Sequence, residues 1–328
     1  MGAGVKVEWA VYKFVCIQGW ETEIEVYIPW NINVTMHSKN RKKPEMPIQS
    51  IAEIDRYNNT PLDEFLGLTP LEIHQLVYEP YADPSPVQLR SDIPEAVLDQ
   101  IPLFRQLESY LKIIHREKQI KLTPLGALPR KVLVEVYEKR NLPDEYIESG
   151  ITKLWREQDC ISISSARITA EIAGFVKKSK GKLTLTKTAL KLIETNDRPQ
   201  LFRQFFITFT QDFLWSYNDY YPEKTVGQLG WAFSILMLEK FGHKSHPTSF
   251  YAEKYLAAFP ALLPFFPSRA FVKADEQFAH CYGTRVFQRF LHWFGFVSVN
   301  KQEKDFLGTR DSYTRTDLLR QIFRIRHK

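Results

Sequence analysis

The stretch from Ser162 to Glu194 changes its hydrophobic period twice, and this limits the fold more than any other part of the chain. Ile163, Ala166, Ile168, Ala170 and Ile172 recur at helical spacing behind a serine-rich entry. Gly174 then breaks the pattern. Phe175-Val176 and Leu183-Thr184-Leu185 read as two short strands around a Lys-Ser-Lys-Gly turn, in which Gly181 supplies the positive φ of a tight hairpin. Thr186 or Thr188 caps a second helix with Ala189, Leu190, Leu192 and Ile193 as its apolar stripe. The spacing therefore predicts helix, hairpin, helix over 162–194, with the hairpin tip near Ser179 to Gly181.

The charge pattern follows the same boundaries. Six lysines and no acid lie between Glu171 and Glu194, as many charges as the net +6 of the whole chain. Clustered cations of this kind suit phosphate neutralisation, since each phosphate contact releases counterions. Gly-Phe-Val, a basic turn, Leu-Thr-Leu-Thr and an apolar helix resemble the wing of many bacterial winged-helix regulators. In those proteins the helix before the wing enters the major groove and the wing lies along the backbone. The resemblance implies a recognition helix over about 162–173, with Ser164, Ser165, Arg167 and Thr169 facing base edges. It implies a wing that presents Lys177, Lys178, Lys180 and Lys182 to phosphates. The plainer reading is that these lysines only keep a surface loop soluble, or that the unit docks onto another protein.

A weak repeat extends the pattern. A helix over 103–118 leads into Ile120-Lys121-Leu122-Thr123 and a helix from Pro129 to Tyr137. The segment 162–194 is a second copy. A third runs from Cys281 through Gly295-Phe296-Val297 to Ser312-Tyr313-Thr314-Arg315-Thr316 and a last helix. The expected class is mainly α with small β-hairpins: two or three winged-helix-like units around an aromatic-rich helical middle. The expected divisions are a hairpin and basic arm over 1–50, a first unit over 51–150, a second over 151–198, and the aromatic region with a C-terminal unit over 199–328. Alternation predicts a β-hairpin within 1–35, turning at Gln18-Gly19, ahead of the basic run MHSKNRKKPEMP. That run reads as a flexible arm, and Met36 or Met46 is an alternative start to Met1.

At 328 residues and 44% hydrophobic content the chain has material for two or three cores. Thr69-Pro70 with Glu72 marks a helix start. Phe202, Phe205, Phe206, Phe209, Phe213, Trp215, Tyr217, Tyr220 and Tyr221 follow a helical face, so core packing is favoured over base stacking. Cys16, Cys160 and Cys281 are odd in number and far apart, which favours a reducing, cytoplasmic setting over a disulfide framework. No apolar run reaches the roughly 20 residues of a membrane span.

Residues 60–328 also resemble a family of bacterial proteins with no established activity, through PLDEFLGLTPLEIHQLVYEPY, LPRKVLVEVY and AEIAGFVKKSKGKLTLT. There is no glycine-rich phosphate loop, nucleophile elbow or His-Glu-x-x-His run. His243 and His246 stand in a Gly-to-Pro turn without further ligands beside them. The expected function is nucleic-acid binding, double-stranded DNA first, in transcriptional control or DNA handling, with no catalytic residue, metal or cofactor. Protein docking through the same units is the first alternative. An enzyme built on Asp212, Asp219 and Glu223 in the acidic–aromatic stretch is the second.

Overall fold

The computed structural model describes residues 11–14, 24–27, 51–268, 272–301 and 311–326. The expected turn at Gln18-Gly19, the basic arm and most of the polar loop 300–311 lie outside the described residues. Strands β1 (Val11–Phe14) and β2 (Ile24–Tyr27) pair antiparallel where alternation predicts a hairpin.

Helix α1 (Ile51–Asn58) and helix α2 (Pro70–Tyr78) come next. The start of α2 is a complete capping box: Glu72 N donates to Thr69 Oγ1 at 3.3 Å, and Thr69 N donates to Glu72 Oε2 at 2.9 Å. Strand β3 (Val87–Leu89) and helix α3 (Glu95–Leu98) lead to α4 (Pro102–Glu117). Leu103, Phe104, Leu107, Leu111 and Ile114 of α4 are all buried, as their spacing predicts.

From α4 the chain builds one unit. It runs through β4 (Ile120–Lys121), α5 (Arg130–Tyr137), α6 (Glu145–Glu148), α7 (Ile161–Ile172), β5 (Val176–Ser179), β6 (Lys182–Leu185) and α8 (Lys187–Glu194). The sheet order is β4-β6-β5. Because β4 pairs with β6, the segments expected to be first and second units share a single sheet, and the boundary expected at 150/151 falls inside it. The fold is thus mainly α with small antiparallel sheets, but its repeat is organised differently from the expected three copies.

Helix α9 (Arg198–Gln211) connects to a second unit of similar order, which has no counterpart of the one-turn helix α6. That unit comprises α10 (Trp231–Phe241), β7 (His246–Pro247), α11 (Thr248–Ala258), α12 (Ala274–Tyr282, continuing as a π-helix over Gly283–Leu291), β8 (Val297–Asn300), β9 (Ser312–Arg315) and α13 (Leu318–Ile322). Its sheet order is β7-β9-β8. In both units the last strand lies in the middle, paired with a two-residue strand on one side and its hairpin partner on the other.

The equivalence extends to single hydrogen bonds. Gly174 and Gly295 close the helices at φ 71° and 73°, a conformation that needs glycine. Phe175 N donates to Ala170 O at 2.9 Å, and Phe296 N to Leu291 O at 2.8 Å. Thr186 Oγ1 donates to Gly174 O and Thr316 Oγ1 to Gly295 O, each at 2.7 Å. Phe175, Leu183, Phe296 and Tyr313 are the matching buried anchors.

Between the units, α9 is an aromatic spine. Phe206 packs against Phe294 with ring centroids 5.0 Å apart, and also against Trp231, Phe290, Phe296 and Phe323. Phe202, Phe205 and Phe209 are buried as well, as their spacing predicts; Phe213 and Trp215 are buried too but lie beyond the end of α9, and Tyr220, expected on the same face, is exposed, because the helical period stops at Gln211. Each fully buried ring contributes roughly 1.5–3 kcal/mol by area. Strand β10 (Phe323–Ile325) pairs with β3 and ties the C-terminal part to residues 87–89.

Candidate nucleic-acid interface

The hairpin forms where expected. Lys180 and Gly181 both take left-handed φ values, 48° and 71°, so a two-residue turn of the twisted kind joins Ser179 to Lys182. Leu183 and Val176 are buried and fix which face is solvated. Lys177 pairs with Thr184, Ser179 with Lys182, and Lys182 with Lys121, which places Lys121, Lys177 and Lys182 on the outer face. Lys180 stands at the tip. Lys178 lies opposite buried Leu183 and reaches back over the loop after β4, where its Nζ would stand 2.9 Å from a Cβ on Gly126.

All five lysines are exposed, and among the described residues none forms an ion pair. Lys121 was not legible from sequence: β4 is two residues long and offers no alternation to read. Its position opposite Lys182 sets like charges against each other, an arrangement that costs a few tenths to about 1 kcal/mol. Stability therefore does not account for this basic face.

The expected recognition residues are placed otherwise. Ser164, Ser165 and Thr169 are buried, because α7 packs against α4, α5 and α9 rather than lying open. Ser164 Oγ donates to Ile161 O at 3.1 Å, and Thr169 Oγ1 donates to Ser165 O at 2.8 Å. Arg167 is held by Glu157 and Glu171 in two close ion pairs. Glu157 is itself buried and also accepts from Leu128 N at 2.7 Å, so the segment between α6 and α7 closes over the helix. The expectation that Ser164, Ser165, Arg167 and Thr169 face base edges is corrected accordingly. The signal that separates them from the lysines is burial, which helical spacing alone did not assign.

The acidic–aromatic stretch is not a convergent cluster. Asp212 is exposed, and Glu223 Oε1 accepts from Thr225 N and Oγ1, each at 2.9 Å. Asp219 is buried and accepts two hydrogen bonds from Arg285, at 2.7 and 2.9 Å. Burial pushes the Cys281 thiol up to about 12, which leaves it protonated. Cys160 is raised by burial as well. Among the described residues no three His, Cys, Asp or Glu side chains are placed to hold a metal ion, and no helix is long and apolar enough to cross a membrane. His246 lies in β7 and stacks on Phe250 at 4.1 Å between centroids, so the expected Gly-to-Pro turn is in part a strand.

Comparison with known proteins matches residues 99–198 to the family model of the Y4jL N-terminal domain. That match begins just before α4 and ends just after α8, which makes it coextensive with the first unit. It agrees with the resemblance to a family without an established activity. No curated protein and no solved structure matches the chain.

Proposed function

We propose that the first unit is a winged-helix module whose hairpin holds the phosphodiester backbone of nucleic acid, double-stranded DNA in the first place. The observation that carries the reading is a set of exposed, unpaired lysines: Lys121, Lys177 and Lys182 on the outer face of the sheet, Lys180 at the hairpin tip, and Lys178 on the other side, reaching over the loop after β4. The placement of the outer three across all three strands presents a stripe of cations instead of a loop tip. The arrangement of α4, β4, α5 and α7 before the hairpin, with the one-turn α6 inserted between α5 and α7, supports the winged-helix assignment. Since the polar residues of α7 are turned inward, the expected mode is backbone contact with little base readout. Two buried, unpaired thiols, Cys160 and Cys281, fit a reducing cytoplasmic setting.

The test is anisotropy of a labelled duplex against salt. Replacing Lys177, Lys178, Lys180 and Lys182 together by Ala should weaken binding to all sequences. It should also reduce the slope of log K against log salt by up to about 3.6, at about 0.9 per lost phosphate contact. Absence of any duplex affinity at low salt, or an unchanged slope in the variant, overturns the reading. A second reading, protein docking, is favoured by the exposed apolar side chains Tyr146, Ile151 and Trp155 on the segment that covers α7. It takes over if duplex binding is absent.

A further inference from the structure

A pocket of about 290 Å³ lies outside the basic hairpin, lined by three arginines from distant parts of the chain: Arg90, Arg203 and Arg324. One wall is the two-stranded β3–β10 sheet. Gln88 pairs with Arg324, so these two share a face, and Arg90, two residues beyond Gln88, continues it. The opposite wall is α9, which contributes Arg203. Tyr81 also lines it, its hydroxyl bonded to Thr210 of α9.

The charge state of this pocket departs from a rule kept by the other described residues. Among them, the other sheltered arginines each have a carboxylate: Arg167 with Glu157, Arg198 with Glu108, Arg285 and Arg289 with Asp219, and Arg315 with Glu239. Arg90 and Arg203 are sheltered too, yet among the described residues neither forms an ion pair, and both line the same pocket. Half-burying a guanidinium without an anion is costly, which is why such groups are normally paired. Arg90 is also pre-positioned, its Nε donating to Arg320 O at 3.2 Å and leaving its terminal nitrogens uncommitted. Asp83 and Asp92 sit at the rim, exposed, and neither is ion-paired to the three arginines.

We propose that this pocket binds a small phosphate-bearing anion, held by Arg90, Arg203 and Arg324. Guanidinium forks match phosphate oxygens with two parallel hydrogen bonds, which a single lysine cannot do. The volume stands at the small end of ligand sites, room for a phosphate with a compact organic group and not for a dinucleotide. Two exposed rim carboxylates against three guanidiniums leave the site cationic while disfavouring indiscriminate polyanion capture. The site does not depend on the nucleic-acid reading.

The experiment is calorimetric titration of the full chain at low salt with inorganic pyrophosphate and with phenyl phosphate, using acetate as the control anion. Saturable one-to-one binding of either phosphate, absent with acetate, is expected; tighter phenyl phosphate binding assigns an organic ligand, tighter pyrophosphate binding an inorganic one. Arg203→Gln and Arg90→Gln should each weaken it roughly tenfold or more, the loss typical of a hydrogen bond to a charged group. Arg324→Gln, at an exposed position where no packing is lost, should weaken it without changing the melting temperature. The quadruple lysine variant of the hairpin should bind as tightly as the parent. No saturable heat with either phosphate at millimolar concentration overturns the proposal. So does binding that survives Arg324→Gln and Arg203→Gln unchanged, or binding lost with the hairpin lysines instead.

Discussion

Asp219→Asn is the sharpest test of how the loop between α9 and α10 is held. Arg285 is fully buried and Asp219 is 4% exposed, so the bidentate pair, at 2.7 and 2.9 Å, is screened by almost no solvent. Arg285 Nη1 also donates to Glu223 O at 2.7 Å, and Arg289 Nη1 donates to Tyr217 O at 2.8 Å. Two arginines of the π-helical stretch thus grip the loop backbone, and Asp219 is the charge that balances them. Removing it strands a buried guanidinium, a loss of about 3–5 kcal/mol against the 5–15 kcal/mol typical of a folded domain. Arg285→Met removes the same pair but also leaves the Glu223 and Val226 carbonyls without their donor. The double variant should therefore be less unstable than the sum of the singles by at least ~1.5 kcal/mol, because each single loses the shared interaction and the double loses it only once. Urea denaturation followed by tryptophan fluorescence, to which buried Trp215, Trp231 and Trp293 contribute, measures all four corners of the cycle. A loss under ~1 kcal/mol for Asp219→Asn, or additive singles, would refute the clamp. A stabilised Asn variant would revive the enzyme alternative, since catalytic carboxylates are commonly held at a cost to stability.

The two remaining predictions probe the duplicated architecture and its acid sensitivity. Gly174→Ala should cost about 1 kcal/mol, for backbone conformation alone, as a Cβ there meets nothing within 4 Å. Gly295→Ala should cost more by about 1–3 kcal/mol, because its Cβ would press on Leu318 Cδ2 at 3.1 Å and Gln100 O at 3.2 Å; equal losses in urea melts would refute this packing. Burial pushes the Glu239 carboxyl up, but Arg320 and Arg315 outweigh it and hold it below its ordinary 4.5. Its folded pKa is thus depressed, so its contribution is full above 4.5 and is lost as pH falls through the folded value; Glu239→Gln should flatten that acid limb in denaturation midpoints taken from pH 7 downward.

What the chain displays locally, it displays clearly. The shift from helical to alternating spacing across Gly174, the Thr186 cap and the Thr69 capping box all depend on residues within a few positions of one another, and each forms as read. The pairing of β4 with β6 depends on residues about sixty apart, and a two-residue strand carries no periodicity to betray it. The front half of the second unit was hidden for the same reason. Its β7 reads as a Gly-to-Pro turn, although α10 and β7 together stand where α4 and β4 stand in the first unit. Burial of Ser164, Ser165 and Thr169 was illegible because small hydroxyl residues suit either a solvated face or a close helix contact. What decides between them is the packing of α7 against α4, α5 and α9, which no helical period contains. Arg90, Arg203 and Arg324 meet only in three dimensions.

The duplication itself bears on function, because two copies of one framework have been given different surfaces. In the first unit the hairpin strands carry Lys177 and Lys182 outward, and the short strand adds Lys121. In the second, the described strands hold Val297, Ser298, Val299 and Asn300 opposite Ser312, Tyr313, Thr314 and Arg315. Their one cation, Arg315, is turned onto buried Glu239. The shared features are the glycine at positive φ, the buried Phe and the Thr-to-Gly bond, all of which serve the framework. The differing features are solvent-facing charges, which the framework does not require and which cost a little where Lys121 meets Lys182. The two units thus share a framework and differ in what their described strands present: the strands of the second pack beside the aromatic core and the arginine-held loop, whereas those of the first carry the exposed lysines on which the proposed phosphate contact rests.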